Sequence, residues 1–162
     1  MEPVLVKKER LVIVGFQQRV LPYDNAIPQL YGQWAERANE VDQVIPGRTF
    51  GVELVPSGST REDGFEFVAG AEVMTESLAI PEGMTTFVAE AGSYAVFTYR
   101  GTLSFIRTFI DRIYRDWLSP KWSVRAGYHM EVYDERFLGP FNEESIVEIW
   151  VPVTINNAAS IA

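Results

Sequence analysis

The pattern that most limits how this chain can fold is an order of strand, helix, strand, strand that occurs twice. In the first occurrence Leu11 to Phe16 reads as β, after an opening strand at Val4 to Val6. Ile27, Leu30, Tyr31, Trp34, Ala35, Ala38 and Val41 then recur at the spacing of one helix stripe. Asn25 stands where an N-cap belongs, and Pro28 lies in the first turn, where its missing N–H costs nothing. Pro46-Gly47 ends this helix. Thr49 to Val55 and Phe65 to Val73 return to strand, separated by the polar loop Pro56 to Gly64. In the second occurrence Met84 to Glu90 and Tyr94 to Arg100 read as extended, and Leu103, Ile106, Ile110, Ile113, Tyr114 and Trp117 form a helix stripe that ends before Pro120. A turn around Trp122 to Ala126 leads to two last strands, Gly127 to Tyr133 and Val147 to Val153, and the small, polar tail Thr154 to Ala162 is expected to fray.

Each unit owns a single helix, which covers only one face of a sheet. The expected fold is therefore α+β: a duplicated β-α-β-β unit forming a mainly antiparallel sheet, with two helices on one face and a central ligand cleft on the other. The pseudo-repeats span about residues 4–76 and 81–153 of one 162-residue domain.

Charge and composition narrow the function. Twenty-two acidic residues against fourteen Lys and Arg give a net charge of −8, which disfavours direct binding to nucleic acid and favours organic cations. There is no cysteine, so disulfides, thiolate nucleophiles and Cys-based metal sites are excluded. The charged start offers no signal peptide and the apolar run Leu11 to Phe16 is too short to span a bilayer, so a cytoplasmic protein without membrane contact is expected. No P-loop, G-x-G-x-x-G or G-x-S-x-G motif occurs, and no cofactor is expected.

The chemistry concentrates in the last two strands. Tyr128, Met130 and Val132 share one face of the first, with His129, Glu131 and Tyr133 on the other. The second splits into apolar Val147, Ile149, Val151 and Val153 against Glu148 and Trp150. If the apolar sets share one core, the opposite face places carboxylates beside aromatic rings, an arrangement suited to a cation. The internal repeat adds Glu53 and Glu66 to that face. Trp150 reads as pocket lining rather than as a dimer contact, although a homodimer is compatible with the sequence. Tyr31, Trp34 and Trp117 read as core residues of the helix stripes. His129, the lone histidine, makes a poor metal site two residues from Glu131, and no metal is expected.

Tyr94-Ala95-Val96-Phe97-Thr98-Tyr99-Arg100-Gly101, Trp117-Leu118, Met130-Glu131-Val132-Tyr133 and Glu148-Ile149-Trp150-Val151-Pro152-Val153 together resemble the GyrI-like effector-binding family. This is the small-molecule domain of multidrug-responsive transcription activators, and the resemblance is strongest to free-standing members such as integron-associated effector-binding proteins. It implies a duplicated α+β fold whose cleft binds bulky lipophilic cations, with Glu131 as the acidic pocket residue. No helix-turn-helix precedes Val4, so the DNA-binding domain of the regulators is expected to be lacking.

The expected function is a stand-alone binding protein for aromatic cations, using Glu131, Trp150, Glu53, Tyr133, His129 and Glu148, with a small-molecule organic cation as its partner. The resemblance also implies two alternatives. One is a GyrI-like hydrolase that opens strained rings of aromatic natural products, with Glu131 as its acid or base. The other is a protein-interaction module of the DNA gyrase inhibitor type.

Overall fold

The structure is a computed structural model, and it describes residues 1–22, 24–55 and 58–156. Its strands are β1 (Val4–Lys8), β2 (Leu11–Val20), β3 (Thr49–Leu54), β4 (Phe65–Val73), β5 (Thr85–Ala89), β6 (Gly92–Arg100), β7 (Trp122–Val124), β8 (Tyr128–Tyr133) and β9 (Ile146–Ile155). Helix α1 (Ala26–Arg37) follows β2, and α2 (Ile106–Arg112) follows β6. Pro56 and Ser57 of the polar loop and tail residues 157–162 lie outside the described residues, whereas Thr154 and Ile155 extend β9.

The nine strands form one antiparallel sheet in the order β1-β6-β9-β8-β3-β4-β2-β5, with β7 added on β9. The two β-α-β-β units meet at the central pair β3–β8. The outermost strands are exchanged: β5 pairs with β2, and β1, at the start of the chain, pairs with β6 of the other half. The fold class is the one expected. Four local details differ. Asn25 occupies the N-cap position of α1 but its side chain makes no capping hydrogen bond, and α1 gives way to a 3-10 turn at Ala38–Glu40. The stretch Leu103–Trp117 is not one regular helix: a 3-10 turn precedes α2 and a π-helical turn, Ile113–Trp117, follows it. The segment read as a turn around Trp122 contains the short strand β7.

Directly paired residues in an antiparallel sheet point to the same face, so the register assigns every side chain. Gly51 pairs with both Glu131 and Ala69, and Ala69 pairs with Phe16. On the other side Glu131 pairs with Ile149, and Ile149 with Phe97. This face carries both helices. Leu30 and Trp34 of α1 pack on Phe16, Phe67 and Ala69, while Ile110 of α2 and Ile113 beyond it pack on Phe97, Val147 and Ile149.

The opposite face curls over on itself into a half-barrel. Phe87 on β5 meets Tyr128 on β8 with ring centroids 5.0 Å apart, although three strands separate them in the sheet. Ile13, Phe50, Val52, Met130 and Trp150 fill the interior and are at most 1% exposed. Each such apolar side chain contributes about 1.5–3 kcal/mol by leaving water. The concave interior is thus packed with the protein's own residues, and the open volume lies on the helix-bearing face.

Candidate functional site

Two cavities of about 540 and 680 Å³ open on the helix-bearing side of the sheet. The first is largely apolar: Tyr31 and Trp34 of α1, Ile110 of α2, and Phe137 wall it, with Glu131 and Tyr133 on the sheet. The second is more polar, with Glu53, His129, Asp111, Tyr114 and Arg115 around it. Arg61 and Ile110 belong to the walls of both.

The floor follows from strand register. Thr49, Gly51 and Glu53 of β3 pair in turn with Tyr133, Glu131 and His129 of β8, so two carboxylates, the imidazole and a phenol converge at the centre of the sheet. Gly51 makes room for them. A Cβ built there would stand 2.1 Å from the Tyr31 hydroxyl and 2.6 Å from the Phe67 ring. The bare backbone at Gly51 lets the Tyr31 ring descend from α1, where it packs edge-on against Tyr133 and Phe67.

The two carboxylates have opposite electrostatics. Glu53 is 1% exposed; burial alone would raise its pKa, but the His129 imidazole and the Arg61 guanidinium outweigh it and hold the carboxyl at about 2. Arg61 binds both oxygens: Nε donates to Oε1, and Nη2 donates to Oε2 at 3.2 Å. Glu131 is raised, first by burial, with the Glu53 charge adding to it, against the pull of His129, Tyr133 and Arg61. Its hydrogen bond comes from the Tyr133 hydroxyl at 2.9 Å, and among the described residues it makes no salt bridge. The Tyr133 and Tyr31 hydroxyls are both pushed well up, by burial and then by the Glu131 charge, so they stay protonated and able to donate. His129 is 4% exposed. Its Nδ1 shares a hydrogen bond with the Tyr114 hydroxyl at 3.0 Å, and its Nε2 lies 3.4 Å from Glu53 Oε2 without forming one.

Donor atoms of Glu53, His129 and Glu131 lie within 4.8 Å of one another, the one group among the described residues that could hold a metal. Both Glu53 oxygens are also engaged by Arg61. With that guanidinium in place, Glu53 already serves a larger, delocalised cation.

Four of the expected site residues, Glu131, Glu53, Tyr133 and His129, come together on this floor. Trp150, Glu148 and Glu66 do not, because they face the half-barrel interior. The register sets Trp150 opposite Met130, Glu148 opposite Val132 and Glu66 opposite Leu54, all on the face away from Glu131. The phase was misleading because both faces of the sheet are buried. The apolar sets of β8 and β9 belong to two different cores, one inside the half-barrel and one under α2. Trp150 is 1% exposed, and its ring is already capped by Lys8, with Nζ 4.0 Å from the ring centre, and by Arg48 at 5.6 Å. Its indole N–H donates to Glu148 at 2.9 Å, and Glu148 also accepts from Arg136.

Sequence reasoning passed over Tyr31 and Trp34, which line the cavity as well as packing on the core. Gly51 was their signal: a glycine inside a strand marks a close approach. Nothing in the local sequence of the loop pointed to Arg61.

The sequence profile of the GyrI-like small molecule binding domain matches residues 1–154. The chain belongs to that family. Transcriptional regulator BrlR of Pseudomonas aeruginosa is 32% identical over 152 residues, which is 92% of this chain and 54% of the regulator, so the chain spans about half of that protein's length. Among solved structures, SAV2435 bound to tetraphenylphosphonium superposes with a TM-score of 0.65 at 16% identity, covering 95% of this chain and 94% of the other. An integron cassette protein from the mobile metagenome of Vibrio cholerae gives 0.64 at 14% identity, covering 95% and 97%. At those identities the likeness is one of fold. As a member of that family, this is a small-molecule binding domain. Among the described residues no helix is long and apolar enough to cross a membrane.

Proposed function

We propose that the apolar cavity binds bulky aromatic cations and that Glu131 is the residue that selects for positive charge. The observation that carries this reading is a buried carboxylate that makes no salt bridge among the described residues, set in a wall of rings. Taking a carboxylate out of water is costly unless a charge compensates it. A cation that fills the cavity supplies that compensation, and a neutral ligand of the same shape does not. The rings of Tyr31, Trp34 and Tyr133 add flat, weakly directional surfaces, and a volume of about 540 Å³ lies within the range of about 300–1,000 Å³ usual for small-molecule pockets. The tetraphenylphosphonium bound to SAV2435, a neighbour in fold, is a ligand of this kind.

Titrating the protein with tetraphenylphosphonium is expected to quench tryptophan fluorescence saturably, through Trp34. Glu131→Gln keeps the shape and removes the charge, so affinity is expected to fall by about ten- to hundredfold, a loss of about 1.5–3 kcal/mol for a desolvated charged contact. Equal affinity in wild type and variant, measured by calorimetry, would remove Glu131 from the site.

The same titration has a pH signature. Because the pKa of Glu131 is raised from the usual 4.5, a protonated carboxyl must lose its proton before it pairs with the ligand. Affinity is therefore expected to rise as pH climbs from about 4.5 through the raised value and then to level off. The charged and titratable groups facing Glu131 are Glu53, His129, Arg61, Tyr31 and Tyr133. All of them remain in Glu131→Gln, so the difference between the two pH profiles isolates Glu131.

A further inference from the structure

The cavity already contains a cation. Arg61 lies on the 3-10 turn Arg61–Asp63, between β3 and β4. Its guanidinium grips Glu53 at two points, rests 4.9 Å above the centre of the Phe65 ring, and stands in the wall shared by the two cavities. It is also close enough to Glu131 to pull that carboxyl's pKa down. These are the contacts an incoming aromatic cation would make: a carboxylate pair, a ring face and an apolar wall. We propose that Arg61 is a displaceable internal ligand, and that amidinium or guanidinium compounds with an aromatic body replace it on Glu53, joining the two cavities into one longer site.

The chemistry that separates these ligands from other cations is the planar fork. Arg61 offers Glu53 two N–H groups in one plane, and an amidinium reproduces that pattern atom for atom. A phosphonium or quaternary ammonium has no N–H. It cannot take over the hydrogen bonds to Glu53, which would be left buried and unmet if Arg61 withdrew. Onium ligands are therefore held beside Glu131 with Arg61 in place, and amidines cross into the outer cavity. The turn that carries Arg61 is tied down independently of Glu53. Thr60 and Asp63 form a reciprocal capping pair, with Thr60 N–H donating to the Asp63 carboxylate at 3.0 Å and Asp63 N–H donating to the Thr60 carbonyl at 3.1 Å. The side chain can thus leave while the turn persists.

This proposal rests on reading the cavity as a cation site, and its test uses two probes, benzamidine and tetraphenylphosphonium. In Arg61→Ala, benzamidine affinity is expected to rise at least tenfold, with a distinctly smaller change for tetraphenylphosphonium. In Arg61→Ala/Glu53→Gln the gain for benzamidine is expected to vanish. A second measurement uses the unaltered protein. Benzamidine is expected to speed hydrogen exchange of the Arg61 side-chain Nε–H, which is freed from Glu53, and tetraphenylphosphonium to leave it unchanged. Equal gains for both probes, or no change in exchange of the Arg61 Nε–H when benzamidine is bound, would overturn the role given to Arg61. The general cation reading fails separately, if tetraphenylphosphonium does not bind the wild type or binds Glu131→Gln equally well.

Discussion

Glu53→Ala is expected to destabilise the protein by about 3 kcal/mol at neutral pH, the lower end of the range for breaking a buried ion pair. Two quantities agree on that size. The carboxyl is held at about 2 against an ordinary 4.5, a gap that corresponds to about 3 kcal/mol at about 1.4 kcal/mol per decade. The variant also strands the Arg61 guanidinium, whose side chain is 23% exposed and can recover part of its hydration by turning outward, which keeps the cost from being larger. For a domain of this size about 3 kcal/mol lowers the melting temperature by roughly 6–12 °C. The pH dependence has a definite sign. Because the folded pKa of Glu53 is depressed, its contribution is present above about pH 4.5 and is lost as pH falls from there toward 2. Wild type and Glu53→Ala should therefore converge in stability in acid. A difference that persists unchanged at pH 2.5 would mean that the residue acts through packing and not through its charge.

The two carboxylates on the floor divide the work. Glu53 is satisfied by Arg61 and stabilises the protein, while Glu131, which makes no salt bridge among the described residues, is the carboxylate we propose for the ligand. Stability and binding are thus assigned to residues whose strands are neighbours, with Gly51 and His129 as their cross-strand partners. On the proposed reading, the capacity to bind comes from the residue the fold serves least well.

The strands, their antiparallel pairing and the duplication were legible from alternation and turn residues; the same alternation singled out Glu131, which lies on the cavity floor. What the residues could not give was the relative phase of β8 and β9. Alternation says that successive side chains face opposite ways, but it does not say which of two buried faces is the cavity. Trp150 was the casualty, since a large ring next to a glutamate fits a ligand cage and a capped core equally well until Lys8 and Arg48 are seen above it. Arg61 was invisible for a different reason. It reaches Glu53 from eight residues away through a loop whose path no periodicity encodes.

Gly70→Ala is expected to be at least as damaging as the loss of Glu53, through the sheet itself. Gly70 and Gly15 are cross-strand partners on the concave face. A Cβ on Gly70 would sit 2.0 Å from the Val14 carbonyl oxygen and 2.8 Å from the Gly15 Cα, and a Cβ on Gly15 would sit 2.0 Å from the Ala69 carbonyl oxygen. These are backbone atoms, which cannot swing aside as a side chain does. Relief requires β2 and β4 to part, against a ladder of nine paired residues, so the cost is expected to reach or exceed about 3 kcal/mol, the upper end for overpacked sites. The site should suffer with the fold. Ala69, next to Gly70, is the partner of Gly51, and Gly51 is the partner of Glu131; moving β4 moves the floor. Gly32 is the matched control. It lies exposed on α1 with nothing within 4 Å of a Cβ, so Gly32→Ala should raise stability by about 0.5–1 kcal/mol through helix propensity alone. If thermal melts rank the two alanine variants the other way, the tight curl of this sheet does not depend on its paired glycines.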